Sequence, residues 1–78
     1  MTIAFLHTDR DVTLEQKIVS SLKKRDASAC RRIAVDVQDG VVRLRGKVKS
    51  FYTRQVFVQV CLRTPGVVAV NDEICVGG

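Results

Sequence analysis

The chain has 78 residues, 46% hydrophobic and 27% charged, with one proline and a formal charge of +5 from thirteen Lys and Arg against eight Asp and Glu. That length fits one small domain and leaves little room for a deep pocket, while the composition argues against a disordered chain. The basic balance favours anionic partners without naming one.

Residues 1–9 read as an N-terminal tail or an extra edge strand built on Ile3 and Phe5, ahead of a domain spanning 10–78. The apolar stretch from Ile3 stops at His7, short of an export signal or a membrane span. The expected location is therefore cytoplasmic, free or peripheral to a membrane. Thr13, with Gln16 three residues on, forms a helix-start signal, and Leu14, Ile18 and Leu22 then share one face. Lys23, Lys24 and Arg25 close that helix, as suits the negative end of its dipole.

Next comes a hairpin. Around Asp39-Gly40, Ile33, Val35 and Val37 alternate with polar residues on one side, and Val42, Leu44, Gly46 and Val48 do so on the other. A two-residue Asp-Gly turn pairs Gln38 with Val41, Asp36 with Arg43, Ala34 with Arg45 and Arg32 with Lys47. Arg43, Arg45, Lys47 and Lys49 then project away from the core as a basic row. Ser50 caps a second helix that runs to about Thr64, where Pro65-Gly66 stops it, and Val70, Ile74 and Val76 mark a third strand within 67–76.

The order predicts an α+β fold, an α-β-β-α-β sandwich with two helices packed on one face of a three-stranded mixed sheet. The right-handed crossover makes strands two and three parallel but leaves open whether strand three lies beside strand two or beyond strand one. Cys30, Cys61 and Cys75 fit no metal-ligand spacing and read as reduced packing residues among apolar neighbours.

These residues resemble the BON (bacterial OsmY and nodulation) domain. The likeness runs through Leu14, Ile18 and Leu22, then Ile33-x-Val35-x-Val37-x-x-Gly40-x-Val42-x-Leu44-x-Gly46-x-Val48-x-Ser50, and Gly66-Val67-x-x-Val70 with Ile74 and Val76. Gly40 suits a positive φ, Gly46 a place where a helix approaches the sheet, and Gly66 a helix stop. The resemblance implies a non-catalytic module that interacts with phospholipid.

From the residues themselves, Arg43, Arg45, Lys47 and Lys49 are the candidates for contact with anionic phospholipid or an acidic protein surface. The second helix carries more apolar residues than one face holds: Phe57, Val60, Cys61 and Thr64 lie on one side, and Phe51, Val58 and Leu62 on the other. Either the first helix covers Val58 or Leu62, or Phe51, Val58 and Leu62 form a surface that contacts a membrane or, the preferred reading, a second copy in a homodimer. A nucleic-acid-binding module of KH-like topology is the main alternative, against which stand the missing G-x-x-G loop and the lack of outward aromatic residues on the sheet. A purely structural protein-protein interaction domain is another. Catalysis is not expected, because the one histidine, His7, lies in the tail and no nucleophile motif or acid pair occurs. No cofactor or metal is called for. The terminal Gly77-Gly78 invites a ubiquitin-like carrier reading, which the helix-first order opposes.

Overall fold

The computed structural model describes residues 9–77, in the order α1 (Asp9–Cys30), β1 (Ile33–Gln38), β2 (Val41–Val48), α2 (Phe51–Arg63) and β3 (Ala69–Val76). It is the expected α+β sandwich. The question of an extra strand at Ile3 and Phe5 falls outside the described residues, whereas Asp9 already opens α1.

The Asp39-Gly40 turn forms as anticipated. Both residues have positive φ, 52° and 79°, the backbone that matches strand twist in a two-residue hairpin. The ladder runs from Gln38↔Val41 through Asp36↔Arg43 and Ala34↔Arg45 to Ile33↔Gly46. A Cβ on Gly40 would stand 2.8 Å from Val68 Cγ2 and 3.1 Å from the Gly66 carbonyl oxygen, so a side chain at this position forces its neighbours to shift. Gly46 departs from its expected role. With φ at 141°, it is approached by the backbone of β1 rather than by a helix, and an added Cβ would meet the Arg32 carbonyl oxygen at 2.3 Å.

The open question of strand order resolves to β1-β2-β3, with β3 parallel to β2 from Val41↔Ala69 to Val48↔Val76. Strand β2 is thus central, and its inward Val42, Leu44 and Val48 meet Ile18 and Leu22 of α1 and Phe57 and Cys61 of α2 in the buried core.

Helix α1 starts earlier than the Thr13 signal suggested. Its first turns are held by Asp11, a buried residue whose carboxylate accepts from the backbone N–H of Asp39 at 3.1 Å and of Gly40 at 3.4 Å. This tertiary contact outweighs the local capping pattern, and Thr13 stays an exposed helical residue. Regular helix stops after Arg25, because Asp26 is extended (φ −159°, ψ 94°) and its Oδ1 caps Ala29 N–H at 3.0 Å. Helix α2 follows its sequence signals: Ser50 caps Thr53 N–H, and Thr64 ends it with its hydroxyl donating to the Val60 carbonyl at 2.8 Å.

Replacing Asp11 with Ala leaves the turn amides without their buried acceptor and lowers unfolding free energy by about 1–3 kcal/mol in urea denaturation. Asp11→Asn, which keeps one acceptor oxygen, loses less.

Candidate functional site

Alternation along β2 sends Arg43, Arg45 and Lys47 to the outer face of the sheet, where all three are exposed. The parallel register also brings Glu73 of β3 to that face opposite Arg45. Its two oxygens lie 3.6 Å from Arg43 Nε and from Arg45 Nε. Exposed pairs of this kind contribute little stability, but they offset charge. With Asp36 across from Arg43, three cations on the outer face stand against two carboxylates. Lys49 leaves the row altogether. It lies past the end of β2 and lines a depression of about 120 Å³ with Asp26, Ser28, Arg32 and Thr53.

That depression marks one pole of the molecule. The regular part of α1 ends there, β1 begins, β2 and β3 end, and α2 begins. Chain direction therefore sets seven exposed cations, Lys23, Lys24, Arg25, Arg31, Arg32, Lys47 and Lys49, at or next to the element ends on this side; Arg32 and Lys49 line the depression itself, and Asp26 is the one acid among its lining residues. Tyr52, 76% exposed, stands beside them in the first turn of α2. Two of the expected site residues, Lys47 and Lys49, belong to this pole. Of the other five cations, Lys23, Lys24 and Arg25 are expected at the helix end and Arg31 and Arg32 at the start of the hairpin; their closeness in sequence to both ends of the hairpin is a usable signal.

The two apolar sides of α2 have different covers. Phe57 and Cys61 are buried in the core, and Val56 and Val60 face α1 across a groove. The opposite flank overhangs β3, where Arg54 Nε donates to Asp72 Oδ2 at 2.8 Å and Val58 is half-buried. Helix α1 therefore does not cover this flank; Phe51 remains 56% exposed and Leu62 50%. Arg54 also lies 5.5 Å from the Phe51 ring centre.

The profile of the BON domain matches residues 10–78. The chain belongs to the BON domain family. No curated protein matches it. BON domains are a non-catalytic, binding type of domain, and phospholipid is the ligand class ascribed to them. Among the described residues of this BON domain, no group of three or more His, Cys, Asp or Glu could hold a metal ion, and no helix is long and apolar enough to cross a membrane.

The three thiols are free. Cys30 and Cys61 are packing residues as expected, but Cys75 is exposed on the outer sheet face, because its position in β3 alternates with Ile74. Burial pushes the Cys61 thiol up to about 11 from its ordinary 9.0, since the thiolate cannot be solvated there. The folded state then holds this proton while the unfolded chain releases it, so stability contributed by Cys61 is present below pH 9 and declines toward about pH 11. Iodoacetamide at pH 8 labels Cys75 in the native protein and spares Cys61; mass spectrometry of the digested adducts reads the difference.

Proposed function

We propose that this BON domain docks on anionic phospholipid surfaces through its basic pole. The observation that carries the reading is the set of seven exposed cations at or next to the element ends on this side, with the exposed ring of Tyr52. Each cation near an anionic surface contributes about 1 kcal/mol, so the full set reaches at most roughly 7 kcal/mol, on the order of 10 μM. The Tyr52 ring, apolar in body and polar at its tip, suits the headgroup layer. Lys47 and Lys49 keep the role expected for them. Arg43 and Arg45 take a lesser one, because Glu73 lies against both guanidinium groups.

Co-sedimentation with vesicles tests the assignment. The protein pellets with vesicles containing phosphatidylglycerol at low salt, is released at high salt and ignores neutral vesicles. Arg32→Glu with Lys49→Glu weakens binding by about tenfold or more, and Arg43→Glu with Arg45→Glu weakens it far less. Equal loss in both pairs returns the site to the sheet row, and unchanged binding in the first pair removes the pole.

Self-association through Phe51, Val58 and Leu62 is the second part of the reading. Two features favour it: the exposure of Phe51 and Leu62, and the pairing of Arg54 with Asp72, which leaves the flank without an uncompensated charge facing its copy. A dimer also doubles the membrane-facing pole and raises avidity. Leu62→Glu keeps the circular dichroism spectrum and yields a monomer in analytical ultracentrifugation; a dimer that survives the change excludes this flank.

A further inference from the structure

Between α1 and α2 runs an open groove of about 1050 Å³. It continues past Pro65 into a further 290 Å³ beside Leu14 and Arg10. Small-molecule sites span roughly 300–1,000 Å³ and enclose their ligand. An open trough above that range suits a polymer.

Its charged lining residues are Lys17, Lys24, Arg25 and Arg63, with no acid among them. The ion pairs among the described residues engage Arg43, Arg45 and Arg54 and none of these four. Along the α1 rim, Lys17 and Lys24 stand seven residues apart, about 10 Å or two helical turns. Along the α2 rim, Gln55, Gln59 and Arg63 recur every fourth residue, and the half-buried Val56 and Val60 lie between the rims.

This lining discriminates among occupants. An acyl chain laid in the groove would strip water from the Gln55 and Gln59 amides and from the Ser20 and Ser21 hydroxyls without replacing their hydrogen bonds. Carboxylates on a peptide would meet those donors and the four cations together. We propose that the groove docks an amphipathic helix of a partner protein, with acidic residues on both flanks facing Lys17, Lys24 and Arg63 and an apolar strip on Val56 and Val60. The groove shares Lys24, Arg25 and Tyr52 with the proposed membrane pole, whereas Lys17 and Arg63 belong to the groove alone and Arg31, Arg32, Lys47 and Lys49 do not line it.

The test uses the full chain and a synthetic helical peptide of about five turns, with leucines on one face and glutamates on both flanks. Two relatives of the peptide carry glutamine or lysine in place of glutamate. The glutamate peptide binds saturably and shifts the amide resonances of Val56, Gln59 and Val60, and the glutamine peptide binds at least about tenfold more weakly. Lys17→Glu with Arg63→Glu loses the glutamate peptide, gains the lysine peptide and still pellets with anionic vesicles. That gain shows the double variant is folded and that charge at these positions selects the partner. Equal binding of the glutamate and glutamine peptides overturns the proposal. So do shifts confined to the basic pole or the sheet row, a variant that fails to gain the lysine peptide, or shifts in the groove that follow protein concentration without peptide, which indicate a second copy.

Discussion

At Asp39-Gly40 the chain reverses with both residues at positive φ, and three separate parts of the molecule meet on that reversal. The Asp11 carboxylate holds the start of α1 against the two turn amides, while the Gly40 carbonyl accepts from Val68 N–H at 2.8 Å and so positions the entry into β3. The turn also sets the register of β1 on β2. A slip of one residue would send Val42, Leu44 and Val48 outward and Arg43, Arg45 and Lys47 into the core, so the burial of α1 and α2 on β2 and the register of the turn enforce each other.

Two geometrical rules then distribute the charge. Side-chain alternation sets which residues leave the core, and chain direction sets which ends of elements become neighbours. Alternation alone makes a row along β2. The parallel docking of β3 lays Glu73 on that row and mutes it. Direction sets Lys23–Arg25, Arg31, Arg32, Lys47 and Lys49 on one side of the molecule, although they come from three different parts of the chain. The net charge is the same on either count; only its placement distinguishes a neutralised sheet face from a basic pole.

The excess of apolar residues on α2 has a partly structural explanation. One side enters the core, another faces α1, and the remaining flank leans over β3, an edge strand among the described residues. Asp72 is the residue that fastens this flank. It points to the inner side of β3, takes Arg54 with one oxygen and accepts from the Ile74 backbone N–H at 3.1 Å with the other. An inward carboxylate on an edge strand also makes further strand pairing costly, so the same residue that anchors α2 protects the edge.

Local patterns in the sequence carried most of the fold: the Asp-Gly turn, the alternation of valines on either side of it, the Ser50 cap and the Pro65-Gly66 stop each rest on contacts within a few residues and appear where they were read. The BON resemblance was legible for the same reason, since its matched positions are core and turn residues. What local pattern could not reach is whatever depends on elements distant in sequence. Thr13 looked like a helix start because the bond from Asp11 to the turn spans 28 residues. Gly46 looked like a helix contact because the approach of the Arg32 carbonyl arises only when β1 pairs with β2. The offset of Arg43 by Asp36 was legible in the hairpin register, but Glu73 lies against both Arg43 and Arg45 only because β3 docks beside β2, a strand order the sequence left open. Composition and periodicity determined that this chain is a small basic sandwich; where its charge is exposed, offset or gathered was decided by tertiary packing, because electrostatic neighbours are set by distance in space rather than by position along the chain.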